Sequence, residues 1–156
     1  MSEEQQHYLT PEGAEKLRRE LQELVEVKRP ELAAKLKEAI SQGDLSENAD
    51  YSDSKEQQAF LEGRIREVEN ILRDSVIIEE TENSGIVHVG SHVTVVEQGE
   101  SPETYRIVGA AESDPSKGMI SNESPLGAAL LNKKKGTKVK VQTPSGEVVF
   151  KITDIQ

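Results

Sequence analysis

Two carboxylates one helical turn apart, Asp44 and Glu47, lie in the short segment GDLSENADY, residues 43–51. Oxygen ligands of this kind suit a hard cation such as Mg²⁺, which typically takes one or two protein carboxylates and completes its shell with water and phosphate oxygens. On an isolated, solvated tip such binding would be weak. The spacing therefore predicts half of a metal site, to be completed by the active site of another molecule.

The same spacing also fits a capping box, in which Asp44 accepts from the amide of residue 47 and Glu47 reaches back to the amide of residue 44. Capping does not explain Leu45, an apolar side chain projected toward water, or the additional charges of Asp50 and Asp53. The two interpretations can coexist, and the spacing leaves both open.

The segment further places oxygen-bearing side chains at the odd ligand positions of an EF-hand loop: Asp44, Ser46, Asn48, Asp50 and Ser52. In that alignment the glycine of the sixth position is Ala49 and the bidentate glutamate of the twelfth position is Lys55. The sharp turn and the strongest ligand are both missing, so calcium binding is rejected.

Two long helices must position this segment. Thr10, followed by Pro11, predicts the start of the first helix, and Gly43 supplies a natural stop. Pro30 lies inside the helix and should kink or split it. Apolar residues recur at helical spacing along it: Leu17, Leu21, Leu24, Leu32, Leu36 and Ile40.

A second helix is predicted from about Glu47 to Asp74. Its coiled-coil seam consists of Leu61, Ile65, Val68 and Leu72. Two helices of this length joined by a few residues must form an antiparallel hairpin with the acidic segment at its tip.

From Val76 onward the apolar period changes to two, which indicates short strands. The segment TPSGE, residues 143–147, reads as the turn of the last hairpin, and Ser124 with Pro125 begins one short helix. The fold class is therefore α+β, with a helical hairpin over residues 1–78 followed by an antiparallel sheet domain with one short helix over residues 79–156.

The composition limits the possible functions. The 156 residues carry a formal charge of −10, so non-specific attraction to bare DNA or anionic membranes is not expected. The chain contains no cysteine, which excludes thiolate chemistry. The polar, acidic start MSEEQQHYLT is unlike a signal peptide, and no apolar run approaches the ~20 residues of a membrane span. We expect a soluble, cytoplasmic protein.

Several motifs, in the same order over almost the whole chain, resemble the bacterial Gre transcript-cleavage factors of the GreA type: YLTPEGAEKLRRELQEL, RPEL, GDLSENADY, EQQAFLEGRI, YRIVG, SPLGAALL and TPSGEVVF. The resemblance implies a transcription elongation factor, and an FKBP-like fold for residues 79–156. Its coiled coil would enter the secondary channel of RNA polymerase and stimulate the polymerase's own cleavage of backtracked nascent RNA, so the factor itself is not an enzyme.

The resemblance also assigns roles to residues. It implies that Asp44 and Glu47 hold a second Mg²⁺ jointly with RNA polymerase and orient the attacking water near the RNA 3′ end. The residues that would shape the tip and its contacts are Leu45, Ser46, Asn48, Asp50 and Tyr51. No membrane and no sequence-specific DNA contact is expected.

The chain departs from the family pattern in three places. Ile40 stands where a basic residue facing the RNA is common, and Lys55 on the second helix preserves part of that basic patch. Asp50 replaces a common glutamate, and LLNKKKGTK, residues 130–138, differs at two positions, which affects the expected docking surface.

Other candidate sites are weaker. Prolyl isomerase pockets are lined with aromatics, and residues 79–156 offer only Tyr105 and Phe150, so no such activity is expected. His88 and His92 lack a neighbouring carboxylate and do not predict a metal site. The run Lys133–Lys135 fits either a favourable helix C-terminus or a polymerase contact.

Two alternatives to a cleavage factor remain. A Gre-related antagonist would occupy the same channel without stimulating cleavage, although such paralogues carry a remodelled tip, whereas Asp44 and Glu47 match the cleaving pattern. A coiled-coil adaptor would use its acids only for capping and solvation, in which case Asp44→Asn would alter no reaction.

Overall fold

The computed structural model describes residues 6–43, 48–79 and 84–156. It divides into two compact units: the described residues from Ala14 to Asp74 form a helical unit, and those up to Gly13 and from Ser75 onward form a sheet unit. The change at Ser75 lies close to the predicted boundary after residue 78. The N-terminal segment differs, because it belongs to the sheet unit and not to the hairpin.

The N-terminal segment joins the sheet unit through a two-stranded parallel sheet. Strand β1 is Tyr8–Leu9 and pairs with β2, Val76–Ile77. Leu9 is completely buried, and Thr10 donates through its backbone amide to Glu112 Oε2 at 2.8 Å. A sequence pattern cannot indicate this pairing, because two residues are too short to show a period.

Four helical segments follow β1: α1 is Pro11–Glu23, a π-helical segment is Leu24–Lys28, α2 is Arg29–Ser41 and α3 is Ala49–Asp74. Thr10 caps α1 as predicted, because its Oγ1 accepts from the Gly13 amide at 3.1 Å. Pro11 occupies the first helical position and Glu12 lies in the first turn, where its charge favours the helix dipole.

The π-helical segment is the structural response to Pro30. Proline has no amide hydrogen, so the carbonyl of Glu26 loses the donor that an α-helix would supply. Just before this point the backbone hydrogen bonds span five residues in place of four, and the Arg29 amide donates to the carbonyl of Leu24. The predicted interruption at Pro30 is thus confirmed, in the form of a π-helical segment within a continuous helical path.

Helices α2 and α3 pack along the predicted seam, in which Ile65 and Val68 are buried. Two ion pairs join α3 to the helical segments beside it. Arg29 makes a bidentate pair with Glu62 at 2.8 and 2.9 Å, and Arg64 binds Glu20 of α1 at 2.6 and 2.9 Å. Paired guanidinium and carboxylate groups fix the register of the helices as well as adding stability.

The second unit contains a five-stranded sheet in the order β5-β4-β3-β7-β6. Its strands are β3, His92–Glu97; β4, Glu103–Val108; β5, Met119–Ser121; β6, Lys138–Thr143; and β7, Gly146–Ile155. Three of its neighbouring pairs are antiparallel, as predicted, but β4 and β5 are parallel. Two short 3-10 turns, Ala110–Glu112 and Pro115–Lys117, bring the chain back so that β5 begins beside Arg106 in the middle of β4, which makes this parallel pairing possible.

The short helix α4, Pro125–Leu130, packs on one face of this sheet. Its predicted cap is confirmed, since the Gly127 amide donates to Ser124 Oγ at 3.1 Å. The predicted turn at residues 143–147 is confirmed as well, because Thr143 pairs with Gly146 across it. The core beneath α4 is aliphatic: Val87, Val93, Val95, Ile107, Ile120, Leu130, Val139, Ile152 and Ile155.

We expect the Glu20–Arg64 pair to stabilise the helical unit in a pH-dependent way. Hydrogen bonding from Arg64 lowers the pKa of Glu20 below its ordinary value of 4.5. When the pKa of an acid is lower in the folded state than in the unfolded state, its contribution to stability is fully present above the unfolded pKa. The contribution is lost as the pH falls through the folded pKa. Glu20→Gln should therefore lower the free energy of unfolding by about 0.2–1 kcal/mol at pH 7 and by less near pH 3.

Urea unfolding followed by circular dichroism at the two pH values measures this difference. Glu23→Gln is the matched control, because Glu23 lies on the same helix and makes no ion pair with another described residue. A loss for Glu20→Gln that is equal at both pH values would contradict the assignment to the ion pair.

Gly109 is required where β1 approaches the turn after β4. A Cβ at this position would overlap the carbonyl oxygen of Tyr8, whereas a Cβ at Gly63 in α3 would meet open space. Gly109→Ala should lower the free energy of unfolding by about 1–3 kcal/mol, since backbone must move. Gly63→Ala should raise it by about 0.5–1 kcal/mol, because alanine loses less backbone freedom in a helix. Urea unfolding of both variants checks the opposite signs.

Candidate functional site

The candidate site is the tip of the hairpin between Ser41, where α2 ends, and Ala49, where α3 begins. The predicted residues Asp44, Leu45, Ser46 and Glu47 lie outside the described residues. The structure describes the other predicted tip residues on both sides of this gap: Ile40, Asn48, Asp50, Tyr51 and Lys55.

The side-chain amide of Asn48 connects the two helix ends. Its Nδ2 donates to the carbonyl oxygen of Ala39 in the last turn of α2 at 2.7 Å. Its Oδ1 accepts from the backbone amide of Tyr51 at 3.0 Å, in the first turn of α3. The Ala39 carbonyl also accepts from the Gln42 amide at 3.3 Å, whereas the Tyr51 amide is one of those that a helix start leaves without an intrahelical partner. One side chain therefore connects a carbonyl at the end of α2 to an amide at the start of α3.

Asn48 is consequently the N-cap of α3. The sequence predicted a helix start at about Glu47, which is two residues earlier than the observed start at Ala49. Capping by Asp44 is one of two open interpretations, and Asp44 lies outside the described residues. Asparagine ranks with aspartate and serine among the best N-cap residues, so the structure follows an ordinary capping preference at a different position. The sequence signal for this role is an asparagine directly before a long helix.

Helix α2 ends just before the tip at a glycine, as predicted. Gly43 has a positive φ of 108°, a conformation that glycine adopts without steric cost. Its amide donates to the carbonyl of Ile40 at 3.4 Å. Ile40, at the position where the family pattern suggests a basic residue, is 49% exposed and places an apolar surface beside the tip.

The charges of Asp50 and Asp53 on α3 have separate local explanations. Asp50 is exposed in the first turn of α3, where a negative charge is favoured by the partial positive charge of the helix N-terminus. Asp53 accepts from Gln57 Nε2 at 2.7 Å, one turn further along. These contacts account for the two additional aspartates without involving a ligand.

Tyr51 and Lys55 form a pair on the next turn of α3. The Nζ of Lys55 lies 5.9 Å from the centroid of the Tyr51 ring and 3.5 Å from Gln58 Oε1. A cation over an aromatic ring at an exposed site contributes about 0.5–1 kcal/mol, which is enough to bias the direction of a flexible lysine. Lys55 thus presents its charge at the tip end of the hairpin, two turns from Asn48.

The tip segment, residues 43–51, is rich in side chains with oxygen donors. Carboxylate and amide oxygens are the donors that Mg²⁺ prefers. Across residues 6–43, 48–79 and 84–156, no group of three or more His, Cys, Asp or Glu side chains could hold a metal ion. These donor types fit Mg²⁺, and the predicted pair Asp44 and Glu47 lies outside these described ranges.

The sheet unit contains a cavity of about 350 Å³, whose lining includes His88, His92 and Arg106. His88 Nε2 lies 2.9 Å from Ser84 Oγ, and Arg106 Nη2 donates to Glu12 at 2.9 Å. No aromatic ring other than these imidazoles lines this cavity. The two aromatic residues considered for an isomerase pocket pack instead against the aliphatic core.

One of them, Tyr105, donates its hydroxyl hydrogen to Glu103. This hydrogen bond, aided by burial, raises the pKa of Tyr105 to about 12, so the phenol stays protonated at neutral pH. The aromatic hydroxyl therefore has a hydrogen-bond partner on its own strand.

The architecture defines a class: a long antiparallel helical hairpin with an acidic tip, attached to a mostly antiparallel sheet unit that carries one short helix. Residues 7–77 match the family model described as transcription elongation factor, N-terminal, and residues 82–156 match the model described as transcription elongation factor, GreA/GreB, C-term. The chain belongs to the GreA/GreB family of transcription elongation factors.

Full-length relatives support the same membership. The chain is 50% identical to the transcription elongation factor GreA of Staphylococcus saprophyticus and 48% identical to that of Geobacillus kaustophilus, with complete coverage of both chains in each case. Among solved structures, it is 29% identical to the GreA factor homolog 1 (Gfh1) of Thermus thermophilus, which covers 97% of this chain and 99% of that chain with a TM-score of 0.45.

No described helix is both long enough and apolar enough to cross a membrane.

We expect the two hydrogen bonds of Asn48 to be separable by substitution. Asn48→Ala removes both and should lower the free energy of unfolding by about 1–2 kcal/mol. Asn48→Asp keeps the capping oxygen but loses the donor to Ala39, so it should cost less than the alanine variant. Urea unfolding measures both values.

Amide hydrogen exchange at Tyr51 separates the two contacts. Protection of this amide should fall in Asn48→Ala and persist in Asn48→Asp, because only the aspartate retains an acceptor. Equal loss of protection in the two variants would show that the bridge to Ala39, and not the cap, holds the first turn of α3.

Proposed function

We propose that this protein binds RNA polymerase, inserts the hairpin tip into the secondary channel and stimulates the polymerase's own cleavage of backtracked nascent RNA. The observation that carries the proposal is the pair Asp44 and Glu47, at the tip of a stiff hairpin in a member of the GreA/GreB family. Relatives at about half identity over their entire length are named transcription elongation factor GreA.

Asp44 and Glu47 act in this proposal as the protein's contribution to a shared site. Their carboxylates hold a Mg²⁺ jointly with the polymerase, and Glu47 or Asp44 orients the water that attacks the RNA. When bound, the Mg²⁺ supplies a water of lowered pKa and stabilises negative charge on phosphate oxygens. The factor provides no nucleophile, so the reaction is the polymerase's and the factor is not itself an enzyme.

The helical unit supplies the reach and stiffness that delivery requires. Helix α3 alone spans about 39 Å at ~1.5 Å per residue. The Arg29–Glu62 and Arg64–Glu20 ion pairs join α3 near its middle to the helices beside it. The Asn48 hydrogen bonds connect the ends of α2 and α3 at the tip.

The neighbours of the carboxylates have supporting roles. Leu45 and Ser46 shape the turn, Asn48 closes it, and Asp50 adds negative charge beside it. The Tyr51–Lys55 pair directs one positive charge toward the RNA 3′ end. Exposed Ile40 stands where family members often carry a second basic residue. We therefore expect RNA contact at the tip to depend mainly on Lys55.

The antagonist alternative is not favoured, because the matching family models and the relatives at about half identity are elongation factors. The adaptor alternative makes no use of a polymerase partner and receives no support from them either.

The test is the length of labelled nascent RNA in purified, backtracked elongation complexes with Mg²⁺. We expect rapid shortening with the wild-type protein and at least a tenfold slower rate with Asp44→Asn or Glu47→Gln, since either change removes a carboxylate from the shared site. Asp53→Asn is the matched control, because it makes the same charge change at a side chain that bonds Gln57 within α3.

Binding to the polymerase must be measured on the same variants, so that lost delivery is distinguished from lost chemistry. Unchanged binding with lost shortening supports the proposal. Wild-type shortening that survives both tip substitutions would contradict the assigned roles, and no shortening with the wild type would contradict the function.

A further inference from the structure

The outward face of the hairpin formed by β6 and β7 carries a concentration of lysines. Along β6 the residues alternate between buried and exposed, with Val139 and Val141 in the core and Lys138 and Lys140 outside. Lys151 of β7 is exposed on the same outward side. Lys135, just before β6, joins them; the four residues Lys135, Lys138, Lys140 and Lys151 are called the lysine face below.

The lysine face contains a like-charge pair in direct register. Lys138 lies opposite Lys151 across the antiparallel ladder. Residues in this position have Cβ atoms about 4.5–5.5 Å apart, and like charges there oppose strand pairing. Lysines on an edge strand such as β6 oppose pairing with another chain, but that role needs no second lysine opposite them on β7, which is an inner strand. The opposed pair is therefore a candidate for a binding role.

The available carboxylates neutralise only the ends of the lysine face. Lys135 Nζ lies 3.9 Å from Asp154, and Lys140 Nζ lies 3.9 Å from Glu147, both at the outer limit of an ion pair. Lys138 and Lys151 form no ion pair with any other described residue. The centre of the face thus keeps two uncompensated positive charges in a chain whose formal charge is −10.

We propose that the lysine face binds the sugar–phosphate backbone of single-stranded RNA. Lysine ammonium groups are compact point charges that neutralise phosphates without reading sequence. Tyr105 and Phe150 pack against the core on the other side of the sheet, so this face offers no stacking platform for bases. Contact would be with the backbone alone, weak and independent of sequence.

This inference rests on the proposed function, because RNA extruded from a backtracked polymerase is the polyanion that such a factor meets. It assigns the sheet unit a role separate from the tip. Asp44, Glu47 and Lys55 act at the RNA 3′ end, whereas the lysine face would hold a segment that has been extruded further.

The direct test is fluorescence anisotropy of a labelled oligoribonucleotide with the full-length protein at 50 to 200 mM salt. The double variant Lys138→Gln/Lys151→Gln should weaken binding roughly tenfold at the lowest salt and reduce the slope of log K against log salt by about 1.4, from ~0.7 per lost phosphate contact. The variant should fold, because it removes only exposed charges that repel each other.

Lys28→Gln/Lys117→Gln is the matched control, with the same change in net charge at exposed lysines of the helical and sheet units. It should leave both the affinity and the salt slope unchanged within error. Absence of saturable wild-type binding, or an equal loss in the control variant, would overturn the inference.

Transcript cleavage separates this inference from the proposed function. In complexes with a long extruded RNA, the lysine-face variant should cleave several-fold more slowly than the wild type, and in complexes with an extrusion of two or three nucleotides the rates should be equal. If wild-type protein cleaves both and the variant matches it in both, the inference fails while the proposed function stands. If wild-type protein binds RNA through the lysine face yet cleaves neither complex, the proposed function fails instead.

The alternative partner for the lysine face is an acidic protein surface. Binding to core polymerase that carries no RNA tests this alternative. We expect the lysine-face variant to bind RNA-free polymerase as tightly as the wild type. A loss of affinity there would assign the lysine face to a protein contact and overturn its assignment to RNA.

Discussion

The tip of the hairpin depends on one side-chain amide. Asn48 donates to the Ala39 carbonyl at the end of α2 and accepts from the Tyr51 amide at the start of α3, so one residue connects the two helix ends. An aspartate could cap but not donate, and a lysine could donate but not cap. Asparagine supplies both groups from one side chain.

The start of the first helix depends on a comparable arrangement in the sheet unit. Glu112 accepts from both the amide and the hydroxyl of Thr10, which in turn caps α1 through its Oγ1. Gly109 permits the carbonyl of Tyr8 to approach the same turn. The cap is thus tied to a residue about a hundred positions away in sequence, and the helix begins where the sheet unit holds it.

The local patterns of the sequence predicted much of this structure. Caps at Thr10 and Ser124, the stop at Gly43 and the interruption at Pro30 all follow from the chemistry of single residues and their immediate neighbours. The parallel pairings of β1 with β2 and of β4 with β5 did not follow, because pairing between distant segments depends on tertiary packing, which periodicity does not encode. At the tip, the carboxylates that the sequence singled out lie outside the described residues, and their roles stay predictions. Asn48 was expected only to support the tip, because nothing local indicates that its amide reaches back to Ala39.

The distribution of charge shows why a net charge of −10 does not decide what the protein can bind. In the helical unit, Arg29 and Arg64 are held by glutamates and present little free positive charge. On the sheet unit, Lys138 and Lys151 face each other without such partners. At physiological ionic strength, screening limits the range of interactions between exposed charges to about 8 Å. A bound ligand therefore responds to the few charged groups next to it and not to the net charge of the protein. An acidic tip suited to a shared cation and a basic face suited to phosphates can therefore coexist on one acidic chain, each acting on the group that it touches.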